Sequence, residues 1–82
     1  MATVEIVKAE KLTDSDIEIT IDARTSLGRI DIPLRFEDQG SQERNETRAF
    51  KQALVIVEEI ASALRLRLGS RFEVPPVRLE EK

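Results

Sequence analysis

The chain has no cysteine, histidine, tyrosine or tryptophan, and its 82 residues include only three each of glycine, proline and phenylalanine. Without cysteine there are no disulfides, thiolate nucleophiles or cysteine metal clusters, and without histidine the commonest general base and zinc ligand are gone. A conventional hydrolase or a zinc finger is excluded. The expectation is a protein that is not an enzyme and carries no metal or other cofactor. The near-absence of aromatics also removes the side chains that stack on nucleobases. Eighty-two residues make one domain at most, and a chain of this length buries only about 60 to 65 % of its unfolded surface. With no covalent staple, it must fold on a very regular core or gain burial from a neighbour.

What is present is charge and aliphatic pattern. Thirteen Lys and Arg against sixteen Asp and Glu leave a formal charge of −3, which argues against a general nucleic-acid binder. The longest unbroken apolar run, Ala53 to Val57, is too short to span a bilayer. The first residues carry no basic and apolar leader pattern, so the expected location is cytoplasmic.

Ala2, Val4 and Ile6 alternate with polar residues and predict a first strand over 2–8. Lys8 to Asp16 is polar, contains the turn cluster Thr-Asp-Ser-Asp, and reads as a connection. Ile17, Ile19 and Ile21, then Ile30, Ile32, Leu34 and Phe36, alternate with polar residues and give the two clearest strands. A tight turn at Arg24-Thr25-Ser26-Leu27 predicts Ile21 opposite Ile30, Ile19 opposite Ile32 and Ile17 opposite Leu34. The same register sets Asp22 against Arg29 and Asp16 against Arg35 on the other face. Pro33 cannot donate to a ladder, so its strand is either an edge or turns that position outward.

Residues 37–46 are polar and read as a loop, with Ser41, Asn45 and Thr47 as candidate N-caps. Asn45-Glu46-Thr47 matches a glycosylation sequon but is read as helix-start chemistry. Phe50, Ala53, Leu54, Val57, Ile60, Ala61, Leu64 and Leu68 then recur at helical spacing, with Gly69 at the stop position. They predict one long helix over 45–68. Arg71 to Val74 is a candidate final strand, and Pro75-Pro76 opens a flexible charged tail over 75–82. The expected architecture is α+β, a three-stranded antiparallel sheet, four with the final strand, against one long C-terminal amphipathic helix. Residues 1–74 form the domain. The order of strands and helix resembles double-stranded-RNA-binding domains in that respect alone. Those begin with an extra helix and carry lysines at the start of the last one, where this chain has Glu43, Arg44, Asn45 and Glu46.

A helix of about 24 residues is about 36 Å long, whereas seven-residue strands reach about 23 Å. The helix is therefore expected to overhang its sheet and leave Phe50, or Leu64 and Leu68, uncovered. Ala49, Ile56 and Ala63 widen its apolar stripe, and Val55 and Leu66 lie nearly opposite it. Wide stripe, overhang and small core together predict a homodimer, with Phe50, Val55, Leu64, Leu66 and Leu68 as the partner-binding residues. The leading function is a non-enzymatic interaction or scaffold module acting through the helix, the sheet edge or both. The alternative is a nucleic-acid-associated or anion-binding regulator that uses Arg65, Arg67 and Arg71, or Arg24 and Arg29 at the hairpin. Asp14, Asp16 and Glu18 lack the central glycine and the distal glutamate of a calcium loop and read as turn and edge charge. Glu58 and Glu59 diverge by about 100° on a helix and form no carboxylate dyad.

Overall fold

The computed structural model describes residues 1–69. Its elements are β1 (Thr3–Lys11), β2 (Asp16–Arg24), β3 (Arg29–Glu37) and α1 (Gln42–Leu68), in the expected βββα order. The strands form one antiparallel sheet in the order β1-β2-β3, so among the described residues β3 with Pro33 is an edge strand. The candidate strand over 71–74, the tail over 75–82 and Arg71 lie outside the described residues.

The β2–β3 register is two residues away from the sequence expectation. Ile21 faces Ile32, Ile19 faces Leu34 and Ile17 faces Phe36. The turn is the reason. Thr25 Oγ1 accepts from the amides of Leu27 and Gly28 (both 3.1 Å) and donates to the Gly28 carbonyl (3.0 Å). The loop therefore spans Thr25 to Gly28, and Arg24 faces Arg29 across its base. The slip is even, so the apolar face is kept, and it brings Phe36 into the row of Ile17. On the other face, Asp22 faces Asp31 rather than Arg29, and Arg35 faces Glu18 rather than Asp16.

β1 is also longer than expected. The segment Lys8 to Lys11 pairs with β2 after a register shift between Ile6 and Lys8. The shift leaves Val7 as the extra residue of a bulge and puts Ala9, an odd-numbered residue, on the face that Val4 and Ile6 occupy before it. Strict alternation breaks at that point, and the sequence pattern lost the strand there. The β1–β2 turn closes through Leu12 and Thr13 amides on the Asp16 carbonyl (2.8 and 3.2 Å).

α1 begins three residues earlier than predicted. Ser41 is the N-cap, extended at φ −153° and ψ 158°, and its Oγ accepts from the Arg44 amide at 3.2 Å. Asn45 serves the loop before the helix instead. Its Oδ1 accepts from the Gln39 amide (2.7 Å) and its Nδ2 donates to Asp38 Oδ1 (3.1 Å). Asp38 Oδ1 also accepts from the Gly40 amide at 2.9 Å. These donors hold the Asp38 carboxyl below the usual aspartate range, with Lys11 adding a weaker attraction. Gly69 ends the helix at φ 54°, a left-handed conformation, and its amide donates to the Arg65 carbonyl.

Among the described residues the core is Ile17, Ile19, Ile21, Ile32, Leu34, Phe36, Ala49 and Ala53, with Ile6 and Ile56 packed at its edge. Only alanines of α1 are fully buried. Their small side chains let the helix backbone approach the sheet closely, at the cost of contributing little apolar area. α1 packs on β2 and β3 and makes little contact with β1.

Candidate interaction surface

Two apolar rows run side by side along α1. Ala49, Ala53, Ile56, Ile60 and Ala63 recur at alternating steps of four and three, and so do Phe50, Leu54, Val57, Ala61, Leu64 and Leu68. The rows are offset by one residue, about 100° around the helix. Ala49, Ala53 and Ile56 of the first row sit on the sheet. The second row, most of the stripe that helical spacing marks in the sequence, is left open. Phe50 is 40 % exposed, Leu54 58 % and Leu64 57 %, with Val57 and Leu68 similar to Phe50.

Arg48 fixes the direction of this open row. Its guanidinium lies over the Phe36 ring, 5.5 Å from the centroid, so that flank of α1 faces β3. Phe50, Leu54 and Val57 occupy the opposite flank, toward β1. The helix-facing side of β1 is open as well: Val4 is 56 % exposed. Between β1 and the first turns of α1 lies a groove of about 490 Å³, with Ile6, Ala9, Ile17 and Ile19 below and Asn45 and Glu46 at the side.

The expected overhang is present. A 27-residue helix is about 40 Å long and a nine-residue strand about 30 Å. Among the described residues, nothing of α1 beyond Ile56 belongs to the core or packs against it. The described residues extend over 49 × 24 × 16 Å, with a radius of gyration of 15.9 Å. A compact domain of that length has about 11 Å.

Of the five residues singled out in the sequence as a partner surface, Phe50, Leu64 and Leu68 share the open row. Val55 and Leu66 are exposed on the solvent side of the helix, well away from it. Leu54, Val57 and Ala61 complete the row. The signal that marks it is the strict four-three alternation over 19 residues, the spacing with which one helix presents a seam to another. No protein-family model, curated protein or solved structure matches the chain.

Among the described residues the arginine candidates fall in two separate places. Arg24 and Arg29 sit at the hairpin end of the sheet and are both turned onto Asp22. The Arg24 Nε donates to Oδ2 at 2.9 Å, and the Arg29 Nε lies 3.3 Å from Oδ1 without hydrogen-bond alignment. Asp22 is 2 % exposed, although it stands on the face away from the helix. Sequence alternation assigns it to solvent. It lies in the central strand with the side chains of Arg24 and Arg29 drawn onto its carboxylate. It occupies the middle of a cross-strand row of three carboxylates, Glu5, Asp22 and Asp31. Arg65 and Arg67 are exposed in the last turn of α1, about 160° apart, and among the described residues neither makes an ion pair. Among the described residues no cluster of three acidic side chains is placed to hold a metal ion. Among the described residues no helix is long and apolar enough to cross a membrane.

Proposed function

We propose that this chain is a non-enzymatic interaction module that works as a homodimer, with α1 as the contact surface. The observation that carries this reading is the open row from Phe50 to Leu68, six apolar residues at seam spacing on a helix that projects past its sheet. Each large side chain of the row gains about 1.5 to 3 kcal/mol when fully buried rather than exposed, a gain that the core of the described residues leaves unused. The helix is a better contact than the sheet edges. β1 carries a bulge and the lysines Lys8 and Lys11, and β3 carries Pro33 in mid-strand, all features that discourage strand addition.

The alternative, an arginine-based anion site, is less well supported. Two of its residues are engaged by Asp22, and Arg65 and Arg67 point apart. Sedimentation equilibrium across 1 to 100 µM tests the leading reading. A dimer mass that falls to the monomer value in Leu64→Glu, with helical circular dichroism unchanged, supports it. A wild-type monomer of 9.3 kDa throughout refutes it. Salt-sensitive retention on heparin would favour the alternative.

A further inference from the structure

The homodimer reading leaves open how two helices meet, and the charges beside the open row choose among the ways. Written as a heptad, Leu54, Ala61 and Leu68 are the a positions and Phe50, Val57 and Leu64 the d positions. One flank then carries Lys51, Glu58 and Arg65, each seven residues after the last. The other carries Ala53, Ile60 and Arg67. In an antiparallel pair, residues of the same flank meet across the seam.

Three registers satisfy the apolar row. Full overlap of all six residues would set Lys51 beside the partner's Arg65, and Glu58 beside the partner's Glu58. Overlap of the first half would pair Lys51 with the partner's Glu58. It would also bring the two sheets alongside each other, because Ala49, Ala53 and Ile56 hold each sheet against that half of its helix. Overlap of the second half has neither fault. It joins the part of α1 that has no sheet beneath it and puts the two sheets at opposite ends.

Resting on the homodimer reading, we infer that two copies pair as antiparallel helices through residues 57–68, with Glu58 of each against the partner's Arg65. The two-fold axis passes between the levels of Ser62 and Ala63. Val57 then packs on the partner's Leu68 and Ala61 on the partner's Leu64. On the other flank, Ile60, which is 47 % exposed in the single chain, lies under the stem of the partner's Arg67. The ion pair occurs twice by symmetry, so reversing one charge turns two attractions into two repulsions.

The test is charge reversal in the full-length chain. Glu58 and Arg65 are exposed in the single chain, so the substitutions leave its core intact. Glu58→Arg and Arg65→Glu should each raise the dimer dissociation constant about tenfold, and the double variant should return to within about threefold of wild type. If wild type is a dimer but the single variants dimerise as well as it does, or the double variant fails to recover, the register is wrong while the homodimer reading stands. A parallel pair gives that result, because it places Glu58 and Arg65 beside the partner's Ala53 and Ile60. A wild-type monomer at 100 µM removes both.

Discussion

Asp22 and its two arginines make an asymmetric ion cluster, and the side from which it is broken decides the cost. The carboxylate is 2 % exposed, whereas the arginine side chains are 55 and 61 % exposed. Replacing Asp22 by Asn keeps the volume and an acceptor for the Arg24 Nε. It returns two arginines to water that already reaches them, so each lost attraction is worth at most about 1 kcal/mol. It also relieves repulsion from Glu5 and Asp31 in the same row, worth about 0.2 to 1 kcal/mol apiece. The two changes oppose each other, and the expected net effect lies within about 1 kcal/mol of zero. Replacing both Arg24 and Arg29 by Ala instead strands a buried charge between two like charges. Removing one side of a buried pair costs about 3 to 5 kcal/mol, and the lower end applies because loss of the two side chains drawn onto the carboxylate admits some water. Since about 1 kcal/mol shifts the midpoint of a domain this size by about 4 to 8 °C, the double arginine variant should melt more than about 10 °C below wild type. The Asp22→Asn variant should melt within a few degrees. Thermal unfolding by circular dichroism, at one protomer concentration because a dimer's midpoint depends on it, reads the difference. An Asp22→Asn variant as unstable as the double arginine variant would refute the reasoning.

Ser41→Ala removes the side chain that caps α1 and should cost about 1 kcal/mol in urea unfolding, whereas Thr47→Ala, inside the first turns, should cost less. Asp38 titrates below the ordinary aspartate value in the folded chain, chiefly because it accepts from the Gly40 amide and the Asn45 amide group. A carboxyl lowered in this way stabilises the fold above its unfolded pKa of about 3.9, and the contribution is lost as pH falls through the folded value. The stability gap between wild type and Asp38→Asn should therefore be full at neutral pH and close in acid below about pH 4. A gap that widens toward low pH would contradict the assignment.

Strand and helix identities were legible because the alternation of Ile17, Ile19 and Ile21 and the four-three recurrence along α1 have no competing reading. Register was not. The apolar face is the same for any even slip, and the choice rested on where Thr25 Oγ1 would close its turn. The far end of β1 was hidden for a similar reason, since the bulge at Val7 inverts the parity on which alternation depends. The burial of Asp22 was beyond reach of a residue-by-residue pattern, because two long side chains from neighbouring positions on different strands are drawn onto its carboxylate. On the helix, the pattern found the apolar stripe and the overhang, and it named Phe50, Leu64 and Leu68 as partner-facing, but it did not separate the alanine row that meets the sheet from the larger row beside it.

The division into two rows bears on function. A helix that only had to close a three-stranded sheet would point its largest residues downward and leave alanines at the margin. α1 does the reverse, with Ala49 and Ala53 against β2 and β3 and Phe50, Leu54, Val57, Leu64 and Leu68 turned aside. Placing the larger row on the sheet needs only a 100° roll, and the close approach of the helix backbone works against it. The Ser41 cap, the Asp38–Asn45 clasp and the Arg48 stack on Phe36 each tie the start of α1 in its present orientation. The first turns thus set the roll for all 27 residues. Whatever the open row meets must come from outside this chain's sheet, and a partner with the same row at the same spacing is complementary to it when the two helices run in opposite directions.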